Sequence, residues 1–250
     1  MTRTRKKEIE QAQLQRFREC WPGFPTGEIE PQEEPDFLVR AGDTTIGIEL
    51  RDYLCDEVEG KGSPSKRQES LRSLTVANAA QEYESQGLPP VDVSVLWNDQ
   101  LPLTSRGAKN LISRLLELVI QNLPRFGSRI FLGYPGPEWR NLPAEIIALW
   151  IDRCRDQRQN FWASHGGGAI PQVGITDIEQ AIRLKEKKLP TYRRAADEVW
   201  LLVVASGFTP SGFCSIAPEL VNHSFETSFD RLFFLQYADR QALELNNGST

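Results

Sequence analysis

A chain of 250 residues with 40% hydrophobic content, 12 Phe and 6 Trp can bury a sizeable core, and a net charge of −5 excludes a surface that attracts nucleic acid everywhere. Any nucleic-acid contact has to be local. Cysteines at 20, 55, 154 and 214 lack CxxC spacing and only His165 and His223 are present, which argues against a zinc site or a disulfide framework.

No apolar run reaches the roughly 18 residues of a membrane span. The basic start Met1–Lys7 leads into a charged helical pattern instead of an apolar leader, so a cytoplasmic, soluble protein with no membrane partner is expected. The spacing predicts a helix over 3–20, with Ile9, Leu14 and Phe17 as an intermittent apolar stripe, ended by Pro22, Pro25 and Gly27. Glu28, Glu30, Glu33 and Glu34 then read as a solvated acidic loop.

The segment Pro35-Asp36-Phe37-Leu38-Val39-Arg40 alternates apolar and polar, as does Thr45-Ile46-Gly47-Ile48-Glu49-Leu50-Arg51 beyond Gly42-Asp43. This predicts a hairpin of two half-buried strands, one face oily and the other polar. With Gly42 and Asp43 at the centre of the turn, the numbers of paired residues sum to 85, which places Asp36 opposite Glu49. Opposed Cβ atoms lie about 4.5–5.5 Å apart, where two acids repel unless a positive charge intervenes. A divalent cation suits that place, and Arg51 projects from the same face as Glu49.

Pro35-Asp36 and Glu49-Leu50-Arg51 resemble the proline-aspartate and acid-x-lysine motifs of the PD-(D/E)XK nuclease superfamily, with Arg51 standing where lysine is expected. The resemblance implies an α/β fold: a restriction-endonuclease-like core, a central mixed β-sheet flanked by helices, with a C-terminal α/β extension. It further implies that Asp36 and Glu49, with the backbone carbonyl of Leu50, hold Mg²⁺ or Mn²⁺. The motif lysine positions or activates the attacking water, and Arg51 can supply charge and donors but not act as a general base. One of the four glutamates before Pro35 can serve as a further ligand. DNA ahead of RNA, a homodimer, and a bacterial defence role follow by analogy.

Further along, Gly60–Pro64 reads as a mobile loop and 65–84 as a helix with Leu71, Leu74, Ala77, Ala80 and Tyr83 on one face. Lys66, Arg67, Gln68 and Arg72 lie in its first half, and by the resemblance Lys66 or Gln68 can compensate for Arg51. A strand is expected over 91–97, completing the hairpin, helix, strand order of the family core. A helix over 104–123 with Leu111, Leu115, Leu118 and Val119 inward, a strand over 129–133 and a short helix from Pro143 to Cys154 follow. Phe161–Gly168 reads as a flexible loop beside a strand, and the glycines at 166–168 have no phosphate-loop context. No linker divides the chain, which reads as one domain with a core over 28–135 and an extension over 136–245.

Thr176-Asp177 can cap a helix over 178–188, Glu198–Ala205 is a buried strand, 229–235 a last strand, and the tail from Asn246 is expected to be disordered. Lys185, Lys187 and Lys188 precede Tyr192, Arg193 and Arg194. Lys185 and Lys188, at i and i+3, share a helical face, where they can neutralise phosphates or replace the lysine missing at 51. These lysines, the tyrosine and Trp200-Leu201-Leu202, with the hairpin, also resemble a pattern in poorly characterised bacterial proteins.

Three readings stand at this point. The first is a magnesium-dependent nuclease using Asp36, Glu49, Arg51, Gln68, Lys185 and Lys188, with Lys66, Arg67, Lys185, Lys188, Arg193 and Arg194 on nucleic acid. The second is an inactive nuclease-like module that binds nucleic acid or a protein. The third is structural, with Glu49 in a salt bridge to Arg51 or Arg40.

Overall fold

The computed structural model describes residues 3–154, 158–166 and 170–248. The chain opens with α1 (Arg3–Cys20), β1 (Glu28–Pro31), β2 (Phe37–Ala41) and β3 (Thr44–Asp52). Next come α2 (Pro64–Ser85), β4 (Asp92–Trp97), α3 (Ser105–Gln121), β5 (Ser128–Gly133), β6 (Ile146–Arg153) and β7 (Phe161–His165). Then follow β8 (Gln172–Val173), α4 (Ile175–Glu186), α5 (Leu189–Tyr192) and β9 (Glu198–Ala205). The chain closes with β10 (Ser215–Ile216), α6 (Pro218–Asn222), β11 (Ser224–Phe225), β12 (Arg231–Gln236) and β13 (Gln241–Asn247). The protein is α/β, with mixed sheet and helices. It forms two compact units, residues 1–61 with 170–250 and residues 62–169, in place of the single domain expected from sequence.

In the first unit the sheet order is β1-β2-β3-β9-β12-β13-β11. The hairpin has the expected register: Phe37 pairs with Ile48 and Ala41 with Thr44, and Gly42 takes the positive φ of 63° that the turn needs. Gly47 is required by a close approach, since a Cβ there would meet Pro35 Cγ at 2.8 Å. The strand beside β3 is the parallel β9, not β4, so the sheet neighbour of the hairpin lies in the last third of the chain. The run Val199–Ala205 is buried throughout and therefore belongs at the sheet centre.

Both faces of this sheet are covered, so the hairpin has no wet face. Phe37, Val39, Ile46, Ile48 and Leu50 pack with Trp200, Leu202 and Phe233 against Leu14 and Phe17 of α1. On the other side Leu38, Val199, Leu201 and Val203 meet Ile178, Ala181 and Ile182 of α4 and Tyr192 of α5. Each such Leu, Ile or Phe contributes roughly 1.5–3 kcal/mol by leaving water. In α1 the inward stripe is Glu10, Gln13, Leu14 and Phe17, while Ile9 is exposed. Part of the acidic segment is strand β1, paired antiparallel with β2. Helix α4 starts at Ile175, and the Gly174 N–H donates to Asp177 Oδ2 at 2.8 Å, an acid in the first turn meeting an orphan donor. β12 is not the last strand: β13 pairs with it and continues through Asn247, into the segment expected to be disordered.

The second unit has a four-stranded sheet ordered β5-β6-β4-β7. Val93, Val95, Leu132, Leu149 and Ile151 pack with Val76, Ala79 and Tyr83 of α2 and Leu111, Leu115 and Val119 of α3. The inward face of α2 is rotated from the expected stripe: Arg72, Thr75, Val76, Ala79 and Tyr83 are buried, and Leu74 is exposed. The helix expected from Pro143 to Cys154 is instead β6, an inner strand hydrogen-bonded on both sides, which suits its β-branched and aromatic residues. The loop expected at 161–168 begins as strand β7, while its Gly167 and Gly168 lie outside the described residues.

Candidate active site

Asp36, in the bend immediately before β2, and Glu49 of β3 lie just beyond the paired Phe37 and Ile48, and both are buried. The Asp36 backbone N–H donates to Glu49 Oε2 at 3.2 Å, and the Leu50 N–H donates to Asp36 Oδ2 at 2.8 Å. Glu49 is thus oriented by the backbone before β2 and Asp36 by the backbone of β3. Burial, with the Glu49 charge next and Glu10 adding to it, pushes the Asp36 carboxyl up to about 6. The Leu50 N–H and Lys185 pull it down without cancelling that rise.

Lys185 of α4 supplies the positive charge, its Nζ resting on Glu49 Oε1. Lys7 of α1 lies 3.6 Å from Asp36 Oδ1 and 3.0 Å from Glu10 Oε2. Lys6 holds Glu10 Oε1 at 2.8 Å. Burial drives the Glu10 carboxyl up, but the hydrogen bonds from Lys6 and Lys7 outweigh it and keep the group below its ordinary range. Tyr192 is fully buried beside Glu49. Desolvation first and the Glu49 charge second raise its phenol far above normal, and its hydroxyl has no hydrogen bond of acceptable geometry. Three acids and three lysines therefore share this place, with a buried phenol at its edge.

Glu10, Lys6, Lys7 and Tyr192 escaped the sequence reading. The signal was present for Glu10: carrying the Leu14–Phe17 stripe back by one turn lands on 10 and 13, not on Ile9.

Other expected site residues sit elsewhere. Arg51 is ion-paired with Glu57 in the loop after β3 instead of reaching the acids. Gln68, in the second unit, spans the Leu103 backbone, accepting from its N–H at 2.7 Å and donating to its carbonyl at 3.1 Å. Lys66 pairs with Glu69 at 3.2 Å in the same helix, and Arg67 is exposed beside it. Lys188 is not on the helix of Lys185, since α4 ends at Glu186; it meets Glu34 at 2.6 Å.

The basic cluster is also largely neutralised. Lys187 pairs with Glu59 at 2.7 Å and Arg193 with Asp230 at 3.1 Å, while Arg194 is exposed. Of the glutamates before Pro35, Glu30 engages Arg40 at 2.9 Å, Glu33 engages Arg3 at 2.7 Å and Glu34 engages Lys188, so these acids serve surface pairs.

Among the described residues no group of three or more His, Cys, Asp or Glu side chains is placed to hold a metal ion, and no helix is long and apolar enough to cross a membrane. No family model, curated protein or solved structure matches the chain.

Proposed function

We propose that the first unit carries a metal-dependent phosphodiesterase centre acting on nucleic acid, DNA ahead of RNA, in which Lys185 takes the part of the lysine absent at position 51. The observation that carries this reading is the trio Asp36, Glu49 and Lys185: opposed acids on a hairpin and a lysine delivered to them from a helix. The order hairpin, helix, strand also supports it, with α4 and the parallel β9 as helix and strand and residues 62–169 lying between the hairpin and that helix in sequence.

The donor set suits a hard cation. Two carboxylates, Glu49 on β3 and Asp36 just before β2, with the Leu50 carbonyl, match Mg²⁺ or Mn²⁺, which bind a few oxygens and keep water. Burial first and the Glu49 charge second raise the proton affinity of Asp36, and Lys185 only partly offsets them. A bound ion supplies a Lewis acid for the phosphoryl oxygen and a bound water of lowered pKa. The residues of the chain do the rest: backbone N–H groups fix both carboxylates, Lys185 brings positive charge toward a phosphate, and Tyr192 limits water around Glu49.

A second reading, a nuclease-like module that no longer cuts, is favoured by one fact: the charges at Glu49 and Arg51 are both satisfied by ion pairs. Titration with Mg²⁺ and Mn²⁺ by calorimetry, with DNA and RNA cleavage on the same samples, separates the two. Binding and cleavage lost together in the Asp36→Ala/Glu49→Ala double variant establish the nuclease. Wild-type protein that binds no metal and cuts nothing overturns it.

A further inference from the structure

The strand register sets which side chains share a face with Glu49. Leu38 pairs with Gly47, Gly47 with Val199 and Glu49 with Leu201, so Glu49 projects from the face of Leu38, Val199 and Leu201. That face is covered by α4 and α5, and Tyr192 of α5 belongs to the same packed cluster as those three residues. Lys185 of α4 and Tyr192 therefore approach Glu49 from one layer, but they meet it differently. Lys185 Nζ rests on Glu49 Oε1. The Tyr192 hydroxyl has no exposed surface and makes no hydrogen bond of acceptable geometry, although Glu49 is within its reach. After desolvation, the groups that bear on this phenol are Glu49, Asp36 and Glu34, all of them acceptors.

A hydroxyl buried without a partner is destabilising, and phenylalanine would fill the same space without that loss. Packing therefore accounts for the ring and leaves the oxygen unexplained. We infer that Tyr192 is a positioning residue for Glu49, its hydroxyl donating to the carboxylate when Lys185 moves off it. On the phosphodiesterase reading, on which this role rests, Lys185 has to move. It cannot keep its contact with Glu49 while the same carboxylate takes up a divalent cation, because the two positive charges repel. Once the lysine turns toward a phosphate, Glu49, only 4% exposed, keeps the Asp36 N–H at 3.2 Å as its remaining hydrogen bond among the described residues. A phenol O–H turns to suit its acceptor and carries no charge, so it can fix a Glu49 oxygen without competing with a cation for the carboxylate. Desolvation first and the Glu49 charge second keep that phenol protonated.

A double-mutant cycle followed by urea unfolding of the full chain in EDTA tests this role with neither metal nor cleavage. In the wild-type background Tyr192→Phe removes a hydroxyl that bonds nothing, and stability is expected to hold or rise. In Lys185→Ala, where Glu49 has lost its lysine, the same change is expected to raise the unfolding constant about ten-fold, because the hydroxyl has been recruited to the carboxylate. Lys185→Met, which keeps the apolar stem, serves as the background if the alanine variant does not fold. At saturating Mg²⁺, Tyr192→Phe is expected to cleave DNA with kcat about ten-fold lower and KM unchanged. An equal effect of Tyr192→Phe in the two backgrounds overturns the inference, and so does a Tyr192→Phe enzyme whose kcat matches that of wild type. Wild type that cleaves nothing overturns the cleavage reading, and the cycle in EDTA still decides whether the hydroxyl takes over Glu49.

Discussion

Lys185 Nζ and Glu49 Oε1 are in contact across 136 positions of sequence, joining α4 to the hairpin. Glu49 is almost wholly buried, so its charge depends on that lysine and on the Asp36 N–H. Removing one member of a buried ion pair strands the other, at a cost of about 2–4 kcal/mol. Lys185→Ala is therefore expected to lower stability by that order in urea melts. The same variant discriminates function. If the lysine acts on the phosphate, cleavage falls at least about 100-fold while calorimetric Mg²⁺ affinity holds or improves, because Glu49 loses its internal competitor. Cleavage that survives the substitution would remove Lys185 from the mechanism.

The carboxyl of Asp36 yields a prediction in pH. It titrates near about 3.9 in an unfolded chain and about 6 in the folded protein. Between those values the folded state binds more protons, so stability falls as pH rises from about 4 to about 6 and stays lower above. Asp36→Asn keeps an oxygen for the Leu50 N–H and removes the buried charge. Without divalent cation it is expected to be more stable than wild type at pH 7, by about 1–3 kcal/mol, with the gain gone below about pH 4. Mg²⁺ should raise the melting temperature of wild type and leave Asp36→Asn unmoved. Wild type more stable than Asp36→Asn at neutral pH in EDTA would contradict the account.

The register of the acid pair was legible because period-two alternation and a glycine turn are local facts, and Phe37 pairs with Ile48 as they require. The neighbour of β3 was not legible. Nothing in residues 44–52 distinguishes β4 from β9 as a partner, and only the burial of Val199–Ala205 on both faces settles it. β6 was misread for a related reason: the run Ile146–Ile151 is apolar without a clear period, and such a run suits a buried strand and a buried helix equally. Lys185 could be nominated from a cluster of basic residues, but the ion pair that singles it out depends on where α4 lies.

Gln68 offers a check on a residue that the hairpin, helix, strand order had tied to the site. Its amide satisfies both backbone groups of Leu103, where the chain turns into α3. Gln68→Ala leaves those groups half-buried and without that partner, and is expected to cost about 1–2 kcal/mol in urea melts. Metal affinity should be unchanged within error. A loss of Mg²⁺ binding without loss of stability would return Gln68 to the site.

Arg51 tests whether position 51 still matters. By strand parity it shares a face with Glu49, but its guanidinium is held by Glu57, and Gln180 of α4 donates to the Glu57 carbonyl at 3.0 Å. Arg51 thus fastens the loop after β3 to the strand, and that loop is tied in turn to α4. Arg51→Lys places a lysine where the motif has one while preserving charge toward Glu57. If Lys185 already supplies the function, this variant is expected to change the cleavage rate by less than about three-fold, because a second lysine adds a charge without a vacant role. Arg51→Ala should instead loosen the loop, read as faster amide exchange over 53–61, with a stability loss of about 1 kcal/mol. The double variant Arg51→Lys/Lys185→Ala decides the matter. Activity recovered relative to Lys185→Ala means that the two positions serve the same charge and that the lysine has migrated from strand to helix. Activity still absent means that a lysine at 51, tied to Glu57, cannot reach the acids.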